Sequence, residues 1–188
     1  VVIPSKINGK AVTSIDFRAF WYCSSSLASI TIPDSVTSID ACAFDGCKNL
    51  ERVNITDIAA WYKIDFGSTT SNPLTYAHNL YLNGELVENI VIPDSVTSIG
   101  NYAFSGCSLT SVTIPGSVTS IGDYSFYDCT SLAKVTIPDS VTSIGGYTFY
   151  GCSSLTSVTI GNSVTSIGGS AFYGCSSLTS VTIGNSVT

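Results

Sequence analysis

Charged side chains are scarce in this sequence. Lys, Arg, Asp and Glu make up 11% of it, against about 25% in typical soluble domains. The formal net charge at pH 7 is -6, with only 7 basic residues. A nucleic-acid binder needs a basic surface that neutralises phosphates, so no nucleic-acid partner is expected. The same shortage of basic residues argues against docking on anionic lipid.

Long apolar runs are also missing. No stretch approaches the ~18 consecutive apolar residues of a membrane-spanning helix, so no direct membrane insertion is expected. The opening VVIPSKINGK has no charged segment followed by an apolar run, and therefore predicts no signal peptide. Because the sequence begins and ends inside a repeat, we interpret it as a piece of a longer protein.

Motifs for catalysis and for metal binding are lacking as well. His78 is the only histidine, and it lies in no recognisable catalytic motif. There is no C-x-x-C pair, calcium-loop motif or glycine-rich phosphate loop. Asp34, Asp94 and Asp139 each follow a proline, but Gly or Asn fills that slot elsewhere, so turn preference explains them. We predict no enzyme, no metal and no cofactor.

The sequence does contain one unit repeated about every 23 residues, most clearly in VTIPDSVTSIGGYTFYGCSSLTS (135–157). Each unit places a Phe three residues before a Cys, and a Leu follows shortly afterwards. The repeated phenylalanines are Phe20, Phe44, Phe104, Phe126, Phe149 and Phe172, and the cysteines are Cys23, Cys47, Cys107, Cys129, Cys152 and Cys175.

Each part of the unit predicts a local structure. Leu-x-x-Val-x-Ile alternates apolar and polar residues like a half-buried strand, and the following Pro ends it. Val-Thr-Ser-Ile predicts a second short extended piece, and x-x-Phe-x-x-Cys predicts one turn of helix or 3₁₀ helix. No single unit can bury its apolar side, so the units must stack. The predicted fold is a right-handed leucine-rich-repeat solenoid of about eight coils with parallel β-strands and one irregular inserted repeat.

Two segments interrupt the regular spacing. Six extra residues lie around Lys6–Ala11 and Ser24–Ser26, and a 14-residue insertion separates Ile55 from Ile92. We predict a single repeat domain over 1–188, truncated at both ends, with an irregular repeat at 56–89 that contains a hairpin-like insertion. Asn83-Gly84 is a strong hairpin signal, and the hairpin is expected to stand off the solenoid.

The phrase IPDSVTSIGNYAFSGCSLTSVTIP (92–115) resembles the BspA-like class of leucine-rich repeats, and the resemblance covers almost the whole chain. It implies a protein of the extracellular space or cell surface of bacteria or some parasitic protists. It also implies a role in adhesion to an extracellular or host protein, to other microbes or to surfaces. The family has no common catalytic site, so the resemblance supplies no site residues.

The cysteines allow two interpretations. Disulfides would suit a surface protein, since such proteins fold under oxidising conditions. However, a Cys that recurs once per coil beside a buried Phe behaves as a small apolar side chain, and bridging needs strict geometry. We favour free, buried thiols.

The outward positions of the first strand form an open face that is usual for ligand binding in such solenoids. The alternative interpretation is that Thr occupies these outward positions only because it favours strands, with no role in binding. Arg52, Lys134 and Val91 interrupt the threonine array, which disfavours a match to an ice lattice. The candidate binding residues on this face are Arg52, Thr113, Lys134, Thr136 and Thr159.

Aromatic residues supply the other candidates. Two sets flank the repeated Phe and are predicted to form half-exposed tyrosine stripes, which either bind sugars or protein or merely cover the Phe core. In the insertion, Trp61 and Tyr62 either bind a ligand or pack the irregular coil closed. The stripes are Tyr102, Tyr124 and Tyr147 (first) and Tyr127, Tyr150 and Tyr173 (second); the insertion candidates are Trp61, Tyr62, Tyr76, His78 and Tyr81.

These features predict a non-catalytic, extracellular protein-interaction or adhesion module that binds through the solenoid surface. The alternative is a carbohydrate-binding surface module that uses exposed aromatic residues, with a polysaccharide as its partner.

Overall fold

Each repeat unit forms one coil with a strand in a first sheet and a shorter strand in a second sheet. The computed structural model describes residues 1–23 and 26–188. The chain is a β-solenoid of about 7 turns with parallel strands and few helices, which confirms the predicted fold class. It divides into two compact units, residues 1–87 and 88–188.

The strands of the first unit are β1 (Lys6–Ile7), β2 (Lys10–Ala11), β3 (Ser14–Ile15), β4 (Ser29–Thr31), β5 (Ser38–Ile39), β6 (Arg52–Ile55), β7 (Asp65–Phe66), β8 (Leu80–Leu82) and β9 (Glu85–Leu86). The order of the first sheet is β4-β6-β8-β9 and that of the second sheet is β3-β5-β7. Two short helices, α1 (Ile58–Trp61) and α2 (Leu74–Ala77), and a 3₁₀ turn at Thr69–Ser71 lie in the irregular repeat.

The second unit is more regular. Its strands are β10 (Asn89–Val91), β11 (Ser98–Ile99), β12 (Ser111–Thr113), β13 (Ser120–Ile121), β14 (Lys134–Ile137), β15 (Ser143–Ile144), β16 (Ser157–Ile160), β17 (Ser166–Ile167) and β18 (Ser180–Thr182). The first sheet has the order β10-β12-β14-β16-β18 and the second sheet β11-β13-β15-β17, and neighbours in both are parallel.

The repeated Phe forms a ladder through the core, as the repeat predicts. In the second unit, Phe126 lies 5.5 Å from Phe104 and 5.4 Å from Phe149 between ring centroids, and all three rings are fully buried. The rings are nearly parallel, at 14° and 4°. Each coil therefore contacts its neighbours through equivalent side chains, which is the usual energetic organisation of a repeat protein.

The segments around the repeated Phe in the second unit are single hydrogen-bonded turns, as the spacing predicts, and they do not continue into helix. The i, i+3 hydrogen bond is present, for example from Cys129 N to Phe126 O at 3.2 Å. A helix cannot continue because the residues two before and two after the Phe are left-handed, as at Tyr124 (φ 56) and Asp128 (φ 53). The backbone N–H of Phe126 therefore points out of its own turn and donates to Thr148 O of the next coil at 2.9 Å.

The cysteine slot has a hydrogen-bonding role that the spacing does not reveal. The thiol of Cys129 donates to Phe104 O of the preceding coil at 3.1 Å, and that of Cys152 to Phe126 O at 3.2 Å. All seven cysteines are free thiols. Burial raises the pKa of the Cys47 thiol to about 11 and raises that of Cys129 well above its ordinary value.

We expect the thiols to react in two groups. Cys47, Cys129 and Cys152 are buried and held in the neutral form, so a thiolate-selective reagent should leave them unmodified in the folded chain. Cys23 and Cys42 are partly exposed and should react first. Labelling at pH 8 followed by peptide mass spectrometry measures this, and early modification of the buried group would contradict the ladder.

Each of the two spacing irregularities contains a hairpin. The extra residues around Lys6–Ala11 form β1 and β2, which pair antiparallel across Asn8 (φ 51) and Gly9 (φ 78). The other extra residues, assigned to Ser24–Ser26, fall partly outside the described residues. The Asn83-Gly84 turn joins β8 to β9 in an antiparallel pair. β8 also pairs parallel with β6, so this hairpin continues the first sheet and does not stand off the solenoid as expected.

Candidate functional site

The open face consists of the outward residues of the first sheet in each unit. In the first unit, register places Thr31 beside Asn54 and Asn54 beside Tyr81. Tyr81 therefore occupies the threonine slot of the open face, although the sequence placed it in an insertion. The long spacing of the irregular repeat hides this equivalence.

Arg52 and Tyr81 are brought together on the first unit's open face. The Arg52 guanidinium carbon lies 3.9 Å from the centroid of the Tyr81 ring, which is a cation–π contact. Beside them, the Asn54 amide donates to Ser29 Oγ at 3.0 Å and to Ile30 O at 3.1 Å. The arrangement fixes one cation and one aromatic ring on a rigid sheet.

The second unit's open face is polar and nearly uncharged. Thr136 pairs in register with Thr159, and Lys134 with Ser157, and both threonines are exposed. Thr113 and Lys134 are exposed as well. The predicted open-face candidates thus lie on the surface of their own units, with side chains that the core does not use.

The prediction that Trp61 and Tyr62 bind a ligand is corrected by their burial. Trp61 is 1% exposed and Tyr62 is 6% exposed, so neither ring can contact a ligand without unfolding the coil. Trp61 lies 5.3 Å from Phe66 between ring centroids. The Asp57 carboxylate accepts from Ala59 N at 2.8 Å and caps the short helix that carries Trp61. Both rings pack the irregular coil closed.

Tyr76 and His78 also lie in the irregular repeat, at α2. The Tyr76 hydroxyl accepts from Gly46 N at 3.1 Å and donates to the Asp45 carboxylate at 3.0 Å, so it ties α2 to the preceding coil. Burial, followed by the neighbouring Asp45, raises the pKa of Tyr76. His78 is exposed and ends α2 in a left-handed conformation (φ 58).

The two tyrosine stripes exist in the second unit, but their rings stack on each other. Tyr124 lies 5.1 Å from Tyr102 and 4.8 Å from Tyr147 between ring centroids. The second stripe has separations of 5.0 and 5.1 Å from Tyr127 through Tyr150 to Tyr173. Neighbouring tyrosines therefore cover both faces of each inner ring, and mainly the edges remain for a ligand.

A groove on the second unit escaped the sequence analysis. Its volume is about 620 Å³, and the Ser-Ile-Gly segments of four coils line it. Glycine allows the coils to pack closely beside the groove, since a Cβ on Gly145 would lie 2.5 Å from Asp123 N of the preceding coil. The recurring Ser-Ile-Gly triplet is the sequence signal for this groove, but the same triplet is equally typical of the end of a strand.

Within residues 1–23 and 26–188, no group of three or more His, Cys, Asp or Glu side chains could hold a metal ion. No helix in the described part of the chain is long and apolar enough to cross a membrane.

Comparisons with known proteins agree with this architecture. No curated protein gives a match. A cell surface protein of Faecalibacterium prausnitzii is 24% identical with a TM-score of 0.54, over 100% of this chain and 70% of that one. A leucine-rich repeat protein of Eubacterium ventriosum is 24% identical with a TM-score of 0.56, over 97% of this chain and 54% of that one.

A leucine-rich repeat protein of T. pallidum is 30% identical over 97% of this chain and 68% of that one, with a TM-score of 0.48. The family described as BspA type leucine-rich repeat region (6 copies) matches residues 5–71 and 75–188. The chain therefore belongs to the BspA-type leucine-rich repeat family.

Proposed function

We propose that this chain is a non-catalytic adhesion module that binds an extracellular or host protein through its open face. The family and its bacterial surface-protein neighbours support a protein-interaction role. The observation that carries the proposal is the Arg52–Tyr81 pair, at 3.9 Å on the outward side of a hydrogen-bonded sheet, with Arg52 exposed and Tyr81 half-buried. Arg and Tyr are among the residue types that dominate binding energy at protein interfaces.

The composition of the second unit's open face fits the same role. Thr113, Thr136 and Thr159 have short, stiff side chains on a paired sheet. Such side chains lose little rotamer entropy on binding, since β-branched residues are already restricted at χ1. Lys134 adds a single charge, which gives this surface polar rather than strongly electrostatic contacts.

Ring stacking weighs against the carbohydrate alternative on the tyrosine stripes. A sugar packs against the face of an aromatic ring, and in both stripes the inner faces already contact another tyrosine. Tyr173 is the exception, with 66% of its surface exposed. A polysaccharide partner therefore has fewer available ring faces than the number of tyrosines suggests.

The test is binding of the chain to a panel of purified extracellular matrix proteins and polysaccharides. We expect a protein to bind, and we expect the double variant Arg52→Ala, Tyr81→Ala to lose about 30-fold in affinity, which corresponds to ~2 kcal/mol for a hot-spot pair. Tyr173→Ala, which removes an exposed ring outside the open face, is the matched control and should bind normally. Polysaccharide binding alone, or equal protein binding by both variants, would refute the proposal.

A further inference from the structure

The first coil departs from the repeat at three slots around Phe20. Arg18 lies two residues before the Phe, where the second unit has Tyr102, Tyr124 and Tyr147. Trp21 lies one residue after it, in the slot of the second tyrosine stripe. Tyr22 lies two residues after it, where most coils have glycine. The glycines of that slot are Gly46, Gly106, Gly151 and Gly174.

These three residues and Phe17 form one exposed group, here called the Arg18 cluster. The Arg18 guanidinium carbon lies 4.9 Å from the Phe17 ring centroid and 4.7 Å from that of Trp21. The Trp21 and Tyr22 rings meet edge to face at 4.8 Å. Phe17 is 56% exposed, Trp21 45% and Tyr22 66%. A concentration of exposed aromatic surface is characteristic of binding sites.

The Tyr22 ring is mostly exposed, in a slot where most coils have no side chain. The backbone there is left-handed (φ 56), a conformation that disfavours a bulky side chain and that glycine adopts freely. The ring packs over Gly46, with one of its carbons 3.2 Å from the place where a Cβ of residue 46 would lie. In spite of that contact, most of the ring remains in solvent. Because Asp128 occupies the same slot with the same left-handed backbone (φ 53), the exposed ring and not the backbone distinguishes Tyr22 from its equivalents.

The sequence segment that holds the cluster is less acidic than the remaining sequence. Residues 1–33 contain three basic side chains (Lys6, Lys10 and Arg18) and one acidic side chain (Asp16). Residues 34–188 contain four basic and twelve acidic side chains. Within the cluster itself the Arg18 guanidinium lies against two of the exposed rings, which favours an acidic group on the partner. With aromatic rings beside its planar surface, a guanidinium can still donate through its edge to a carboxylate.

We infer that the Arg18 cluster binds a protein surface that presents a carboxylate beside apolar or aromatic side chains. This inference rests on the proposed function, that the chain binds protein, and it adds a second contact region to the open face. Arg18 pairs with the carboxylate, while Trp21 and Tyr22 contact the apolar side chains. Trp, Tyr and Arg are the residue types most enriched at the energetic centres of protein interfaces.

The test uses three probes of defined chemistry: a random glutamate–tyrosine copolymer, polyglutamate and hyaluronan. We expect the copolymer to bind most tightly and to bind less tightly as salt is raised. Arg18→Ala and Trp21→Ala should each weaken it at least tenfold, which is ~1.4 kcal/mol. Tyr173→Ala, an exposed ring in the slot of Trp21, is the control and should change nothing. If hyaluronan binds instead and is lost in the same variants, the site is one for acidic saccharides and the inference is overturned.

A second variant separates binding from folding. Tyr22→Gly restores the common residue of the slot, so the denaturation midpoint should stay constant or rise while copolymer affinity falls. A lower midpoint with unchanged affinity would make the ring structural and overturn the inference.

The Arg52→Ala, Tyr81→Ala variant separates the two proposed sites, and it should retain copolymer binding. Full binding of this variant to extracellular proteins would refute the proposed open-face site. The inference about the Arg18 cluster would be refuted separately, by unchanged copolymer affinity in Arg18→Ala and Trp21→Ala.

Discussion

Phe126→Ala is expected to lower the free energy of unfolding by about 3–5 kcal/mol, the usual cost of truncating a buried Phe. The ring is fully buried and stacks on Phe104 at 5.5 Å and on Phe149 at 5.4 Å. Its removal leaves a gap that faces two coils. Those coils cannot collapse into it, because the backbone hydrogen bond from Phe126 N to Thr148 O at 2.9 Å fixes their spacing.

Urea denaturation of the whole chain, followed by circular dichroism, measures this loss. Phe17→Ala is the matched control, since that ring is 56% exposed. It should change the free energy of unfolding by no more than about 0.5 kcal/mol, as for most surface substitutions. Similar midpoints for the two variants would mean that the Phe ladder is not the core.

Gly145→Ala and Gly146→Ala are expected to have opposite effects, although the residues are adjacent. A Cβ on Gly145 would lie 2.5 Å from Asp123 N and 2.6 Å from Gly122 C, so two coils would have to move apart. Overpacking of this kind costs about 1–3 kcal/mol, and because the closest atoms are backbone and cannot rotate away, we expect a value near 3. At Gly146 the nearest atom is Gly169 O at 3.5 Å, an ordinary contact.

Gly146→Ala should therefore raise the free energy of unfolding by about 0.4–1 kcal/mol, because alanine reduces the freedom of the unfolded chain. The urea midpoints of the two variants, compared with the unsubstituted chain, give both signs in one experiment. Equal destabilisation by both substitutions would show that close packing of the coils at the Ser-Ile-Gly segments is not the reason for the glycine at position 145.

The regular part of the fold was predictable because the same residues recur in every coil. Phe126, Cys129 and Ile137 have equivalents at fixed spacing, and stacking is the only way to bury them all. The local backbone around the Phe was not predictable from that spacing. An i, i+3 pattern fits a helical turn as well as a pair of turns broken by left-handed residues, and Tyr124 carries no sequence signal for a positive φ.

The sequence predicted the placement of candidate residues that have equivalents in other coils, but not that of candidates without such equivalents. Thr136 and Thr159 lie on the open face because they belong to regular strands. Trp61 has no equivalent in other coils, so the sequence could not distinguish a buried closing residue from an exposed one. Tyr81 belongs to the open face, but the 27-residue interval between it and Asn54 conceals the shared register. A signal existed for Trp21, since it occupies a tyrosine slot beside Phe20.

Hydroxyl-radical footprinting of the chain, alone and bound to an extracellular protein, shows which aromatic side chains the partner covers. Aromatic side chains react readily with the radical, and the open face carries one at Tyr81. We expect Tyr81 to become protected on binding while Tyr150 and Tyr173 keep their reactivity. Protection of Tyr150 and Tyr173 with no change at Tyr81 would place the partner on the tyrosine stripes and contradict binding through the open face.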